Sequence, residues 1–195
     1  MPNRYGDVEL SPRGMRALAH PTRLAILSQL QAHGPSTATV LAPQVGATPS
    51  VTSWHLRHLA EHGLVRDADV ESDGRQRWWE AVGRGFRFSP TPDSADRDAA
   101  TLLSRVMMDQ AQDLPQRWAR EAEPLLEERW RRSAGLSNTT ILVTVDELAQ
   151  VEAAVEEVLA PFVLRKGSKE RVPDSRSVRV LRYVLPEALA QDDVS

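Results

Sequence analysis

The chain has 195 residues, of which 41% are hydrophobic and 26% are charged, and its net charge is −3. It contains no cysteine, which excludes disulfides, a thiol nucleophile and a thiolate metal site. No apolar run reaches the roughly 18 residues that a membrane span needs, and the N-terminus lacks the apolar core of a secretory signal. We therefore expect a cytoplasmic globular protein with no membrane contact.

Charge is divided unevenly along the chain. Residues 1–90 carry 10 Arg and 8 Asp plus Glu, a net charge of +2, and residues 91–195 carry 14 Lys plus Arg and 19 Asp plus Glu, a net charge of −5. Between them, prolines and polar residues in RFSPTPDSAD, residues 87–96, interrupt any regular pattern. The sequence therefore predicts two domains, residues 1–90 and residues 91–195, with different partners.

Four short helices are predicted in residues 1–90. A Ser-Pro or Thr-Pro pair is typical of a helix start, because the hydroxyl caps the first turn and proline fits the first helical position. Glycine just after a helical pattern is typical of a helix end. Ser11-Pro12 and Thr48-Pro49 predict helices over residues 12–19 and 49–62, and Pro21 opens another over residues 21–33. Ser36 or Thr37 caps a helix over residues 38–45, which contains an unfavourable interior proline, Pro43.

A hairpin follows the fourth helix. The segment GLVRDADVESDGRQRWWEAV, residues 63–82, predicts two strands joined by a turn at residues 72–74. Trp78 and Trp79 would then point to opposite faces, which places one of them in the core. Two compact helices joined by a tight turn and followed by a hairpin predict a winged helix-turn-helix.

Over residues 15–82, the chain resembles the ArsR-type family of bacterial winged-helix transcriptional regulators in the order of its motifs. The residues that carry the resemblance are Ala-Leu-x-x-Pro-x-Arg from Ala17, the Leu-Ala helix after it, Ser-x-His-Leu-x-x-Leu-x-x-x-Gly-Leu-Val from Ser53, and the wing DGRQRWWEA. The resemblance implies a homodimer that binds double-stranded DNA and represses transcription by occupying an operator. A dimer suits this function because two recognition helices can read half-sites about one helical turn apart.

The fourth helix has a polar face opposite its apolar face. Arginine and serine can bond base edges or phosphates, and an aromatic edge can pack on a thymine methyl. Arg75 and Arg77 alternate onto one face of the wing, where arginine suits the DNA backbone or minor groove. We expect Glu61 to be outside the interface, because it would repel phosphate. The predicted DNA-binding residues are Ser50, Ser53, Trp54, Arg57, Arg75 and Arg77; the other interpretation is a solvated helix face and a charged hairpin.

Three histidines share the segment SWHLRHLAEHGLV, residues 53–65, and their spacing does not forbid a zinc site. Zinc needs a further ligand and a second shell, which the neighbouring residues do not supply. We predict that His55 is a packed structural residue, that His62 interacts with the helix end, and that His58 reaches phosphate. We expect no metal and no cofactor. The sequence also has no phosphate-binding loop, nucleophile elbow or His-Glu-x-x-His helix, so an enzyme is not expected.

Residues 91–195 predict a helical segment followed by a small α/β module. A helical stripe over residues 94–133 includes Ala99, Leu102, Leu103, Val106 and Met107 and is expected to supply much of the dimer contact. TTILVTV, residues 139–145, predicts a buried strand, and SVRVLRYVLP, residues 177–186, a second one. Two strands need a third, either RGFRF at residues 84–88 or a strand of a partner subunit.

Between these strands, Thr144 and Glu147 form a capping box that opens a helix. The apolar face of this helix is Leu148, Val151, Val155, Val158 and Phe162. The α/β module could bind a small-molecule effector, or its apolar residues could be ordinary core.

The predicted fold class is therefore α+β, with an N-terminal winged helix-turn-helix domain, a helical dimerisation segment and a small α/β C-terminal module. Two other functions stay open. One is a winged helix that binds protein and not DNA, and the other is a metal sensor that uses the histidines.

Overall fold

The computed structural model describes residues 5–70, 76–88, 94–166 and 172–187. Its strands are β1 Val8–Glu9, β2 Ser36–Thr37, β3 Val65–Asp67, β4 Trp78–Ala81 and β5 Phe86–Arg87. Its helices are α1 Pro12–Leu18, α2 Pro21–His33, α3 Ala38–Gln44, α4 Pro49–Glu61, α5 Ser94–Ala111, α6 Leu114–Glu121, α7 Glu128–Arg131 and α8 Val145–Lys166, and a 3-10 turn at Glu123–Leu125 lies between α6 and α7. The fold is mixed helix and sheet.

The first four helices begin where their capping residues predict. The hydroxyls of Ser11, Thr37 and Thr48 accept hydrogen bonds from the backbone N–H groups three residues later, at 3.2 to 3.3 Å. The start of α2 is capped by a residue that the sequence did not indicate, since the Nδ1 atom of His20 accepts the N–H of Thr22 at 3.2 Å. The unfavourable Pro43 lies in the last turn of α3, next to the helix end.

The strands form two small sheets. β2, β4 and β3 form an antiparallel sheet in which Thr37 lies opposite Trp78 and Val65 opposite Ala81. This confirms the two strands of the predicted hairpin, whose turn at residues 72–74 lies outside the described residues. β5 falls within the predicted strand at residues 84–88, but it pairs in parallel with β1 and not with the C-terminal segments.

One hydrophobic core joins α1 to α4, the wing and the first half of α5. Its fully buried members include Leu18, Ile26, Leu27, Leu41, Leu56, Leu59, Leu64, Trp79 and Leu103. Trp79 is thus the core tryptophan of the predicted pair, and Trp78 is half-buried. α3 and α4 pack closely as the two helices of a helix-turn-helix.

The two strands predicted in the C-terminal module are wrong for this chain. Residues 139–145 and residues 177–186 are described and form no strand, and Leu142, expected to be buried, is fully exposed. β-branched residues favour an extended backbone, but a strand also needs a neighbouring edge to complete its hydrogen bonds. Among the described residues, neither segment is paired with a strand.

The helix between them forms as predicted. Glu147 accepts the N–H of Thr144 at 2.8 Å, and the hydroxyl of Thr144 accepts the N–H of Glu147 at 3.3 Å, which completes the capping box of α8. The apolar face expected to be buried on α8 is partly exposed, at Val151, Val158 and Phe162.

Candidate nucleic-acid interface

The N-terminal half of α4 presents a polar surface above the core. Thr48 caps this helix, and Thr52, His55, Leu56 and Leu59 turn inward. The predicted residues Ser50, Trp54 and Arg57 are exposed, Trp54 with 53% of its surface accessible, while Ser53 is half-buried. The division of the helix into two faces is the one that its periodicity predicts, except that Val51, expected on the core side, is exposed.

Arg57 is held close to the helix surface by Ser53. Its Nη1 atom donates a hydrogen bond to the Ser53 Oγ atom at 3.2 Å, across one helical turn. The bond leaves the remaining guanidinium N–H groups available to an acceptor.

In the wing, Arg77 is fixed by two neighbours. It donates two hydrogen bonds to the carboxylate of Asp67, from Nε to Oδ1 at 2.5 Å and from Nη2 to Oδ2 at 2.9 Å, and its guanidinium lies 4.0 Å from the centre of the Trp79 ring. The hydrogen bond from Arg77 lowers the pKa of Asp67, so this carboxylate stays charged. Arg75, the other predicted wing residue, lies outside the described residues.

A cleft lies between α4 and the start of β4. It has a volume of about 160 Å³ and brings together Ser53 and Arg57 of α4, Arg77 of the wing and the start of α3. The residues that line it are Thr37, Ala38, Thr39, Ser53, Arg57, Gln76, Arg77 and Trp79. The Arg57 guanidinium, the Arg77 N–H groups that Asp67 does not bind and the nearby hydroxyls form a surface suited to a phosphate oxygen. Ser50 and Trp54 lie on the same helix outside the cleft.

Thr39 and Gln76 were missed by the sequence analysis, and Thr37 was considered only as a helix cap. The local sequence gives the faces of α4 and of the wing, but it does not say that the start of α3 comes next to both. The pairing of β2 with β4 produces this proximity, because it brings residues about 40 positions apart into contact.

The histidines pack against each other and against Trp54. Ring centroids are 4.9 Å apart for His20 and His55, 4.9 Å for His58 and His62, and 5.7 Å for the stacked pair Trp54 and His58. Burial lowers the pKa of His20, His55 and His58 below its ordinary value of 6.5, and the charge of Arg23 lowers it further. These residues are therefore neutral near pH 7.

His55 is buried and His62 is half-buried at the end of α4. His58 is half-buried and lies 3.8 Å from the carboxylate of Glu61. Among the described residues, no group of three His, Asp or Glu side chains is arranged so that it could hold a metal ion.

The comparison with protein families identifies the N-terminal region. A family model for a helix-turn-helix domain matches residues 18–68, which span the end of α1, α2, α3, α4 and β3. The match covers a little over a quarter of the chain and supports a DNA-binding regulator with this domain at its N-terminus. No curated protein sequence matches the chain. Within the described part of the chain, no helix is both long and apolar enough to cross a membrane.

Proposed function

We propose that the chain is a sequence-specific DNA-binding transcriptional regulator of the ArsR type that acts as a homodimer. One observation carries the proposal: on a helix-turn-helix, the exposed face of the second helix and the wing converge on a cleft that contains Arg57 and Arg77. In such domains the N-terminal part of the second helix enters the major groove.

The predicted residues divide into two roles. Ser50, Ser53, Trp54 and Arg57 face the major groove, where arginine pairs with guanine and serine accepts or donates. Arg75 and Arg77 of the wing contact the adjacent backbone or minor groove, where they position the domain. The cleft adds Thr39 and Gln76 to the groups within reach of a phosphate.

Residues 1–90 carry the DNA-binding surface in this proposal, and residues 91–195 supply dimer contacts and an effector module. A repressor role by operator occupancy follows from the family resemblance, and a cytoplasmic location is the one that the composition predicts. We propose no metal, no cofactor and no catalytic activity.

The test is selection of bound fragments from genomic DNA with the purified full-length protein, followed by affinity measurements at several salt concentrations. We expect a palindromic motif, and an affinity that falls steeply with salt because bound phosphates release counterions. Enrichment of no sequence, together with no salt-dependent affinity, would contradict the proposal and favour a winged helix that binds protein.

Arg57→Ala tests the recognition helix. We expect it to weaken binding to the selected site by roughly 1–3 kcal/mol. The control is Arg117→Ala, which removes the same charge from an exposed position in α6. Equal losses in the two variants would mean that net charge, and not a contact of α4, determines affinity.

A further inference from the structure

Five apolar residues of α8 form a continuous stripe with the spacing of a helix–helix interface. Leu148, Val151, Val155, Val158 and Phe162 follow each other at intervals of three, four, three and four residues, which is the pattern of alternate a and d positions in a heptad. We call these five residues the α8 seam. Val158 is 67% exposed and Phe162 is 58% exposed, whereas core residues of the N-terminal domain are close to 0%.

The contact between α8 and the N-terminal domain uses another side of the helix. Glu156 binds Arg87 at 2.7 Å, and Ala160 is the buried residue of α8. At 100° per residue, Glu156 lies about 120° from the centre of the seam. Val151, Val158 and Phe162 of the seam are exposed, and Leu148 and Val155 are half-buried.

We propose that the α8 seam is a dimer interface that packs against the α8 seam of a second copy of the chain. The proposal rests on the homodimer of the proposed function, and it assigns a dimer contact to α8 in addition to the helices at residues 94–133. Two further observations favour a second copy over an unrelated partner.

The first observation is the absence of charge. In a two-fold interface each residue near the axis meets its own counterpart, so a charged residue there would meet a like charge. The seam has no charged residue, and neither has the segment that precedes α8, residues 133–144. An identical apolar seam therefore brings no like charges together at a two-fold axis.

The second observation is the area. Other exposed apolar side chains flank α8, namely Leu136, Ile141, Leu142, Val143, Val145, Val178, Val180, Leu181, Val184 and Leu185. Residues 177–185 are held beside α8 by the ion pair between Arg182 and Glu152, at 2.9 Å. Summed with the seam, these side chains expose on the order of 1,000 Å², which is enough for the roughly 800 Å² that each partner of a stable dimer buries.

The chain offers a direct test because it contains no cysteine. Val155 is the middle residue of the seam, so it meets its counterpart whether the two helices run parallel or antiparallel. We expect Val155→Cys in the full-length protein to form a disulfide-linked dimer under mild oxidation. The control is Ala153→Cys, an exposed position about 180° from the centre of the seam, which should stay monomeric on a denaturing gel.

Sedimentation of variants that carry no introduced cysteine measures how much the seam contributes to the strength of dimerisation. We expect Val158→Glu to weaken dimerisation about 100-fold or more, because a carboxylate at a packed position is buried without a partner, and we expect Ala153→Glu to leave it unchanged. A monomeric wild-type chain, a dimer unaffected by Val158→Glu, or equal cross-linking of the two cysteine variants would each overturn the proposal.

These outcomes are separate from those for DNA binding. If dimerisation depends on the seam but no DNA is selected, the interface stands and the proposed function fails. If DNA is selected and Val158→Glu leaves the dimer intact, the proposed function stands and the seam is not the interface.

Discussion

At the start of α2, the imidazole of His20 accepts a backbone hydrogen bond through Nδ1. Only a ring with an unprotonated Nδ1 can do this. The ring also lies 4.9 Å from that of His55, whose buried Nδ1 atom has no hydrogen-bond partner among the described residues. Arg23 adds a positive charge to the same group. Each of these features opposes protonation of the His20 and His55 imidazoles in the folded chain.

This predicts a direction for the pH dependence of stability. Burial and Arg23 lower the pKa of His20 and His55 in the folded chain, so the unfolded chain binds more protons below its pKa near 6.5. Stability should therefore be complete above about pH 7 and fall as the pH decreases below about 6.5. Urea unfolding at several pH values between 5 and 8 measures this change in the free energy of unfolding.

His20→Asn separates this effect from general acid sensitivity. Asparagine keeps an acceptor for the Thr22 N–H but does not titrate, so the variant should lose less stability than the wild type between pH 7 and pH 5. An unchanged pH profile would show that His20 does not contribute. A histidine before proline is not a usual cap signal, so this role could not be predicted from the local pattern.

At the scale of single elements, the hydroxyl of Thr48 fixes the start of the recognition helix. It accepts the N–H of Val51 at 3.3 Å, beside Ser50 and Ser53. We expect Thr48→Ala to lower the free energy of unfolding by about 1 kcal/mol, because one N–H group of the first turn loses its acceptor. Denaturant unfolding measures this loss.

DNA affinity should fall in Thr48→Ala as well, since the first turn of α4 would fray. Thr48→Ser is the matched control, because it keeps the oxygen and should retain both stability and affinity. Equal destabilisation by the two variants would mean that the methyl group, and not the cap, is responsible.

The elements also show which features could be predicted from the sequence. The starts of α1, α3 and α4 depend on a hydroxyl and residues within one turn, so a local pattern was sufficient for each. The face of α4 with Trp54 and Arg57 followed from helical periodicity. The segments at residues 139–145 and 177–186 could not be predicted correctly in this way, because pairing of a strand depends on an edge that another part of the molecule must supply.

The cleft could be predicted from the sequence only in part. Arg57 and Ser53 were expected on the exposed side of their helix, but the contact of Arg77 with Asp67 crosses the hairpin. Thr39 enters only through the pairing of β2 with β4. The chemistry of the candidate site was therefore readable from the sequence, while its shape required the tertiary structure.

At the scale of the whole molecule, the two predicted domains are joined by more than a linker. Arg87 of β5 binds Asp7 at 3.1 Å and Glu156 of α8 at 2.7 Å, which connects the base of the winged domain to the helix of the seam. Ala99, Ala100 and Leu103 of α5 belong to the same core as α2 and α4. The division at residue 90 stays a prediction about function, but the hydrophobic core extends across it.

Two adjacent leucines of α5 allow this shared core to be tested. Leu103 is fully buried and Leu102 is 47% exposed, although the helical stripe included both. Leu103→Ala should lower the free energy of unfolding by roughly 2–5 kcal/mol, because it leaves a cavity in the core. Hydrogen exchange of α2 and α4 amides should then speed up, even though the substitution lies outside residues 1–90. Leu102→Ala should change these amides little, whereas an effect of Leu103→Ala confined to α5 and later helices would show that the N-terminal domain folds independently.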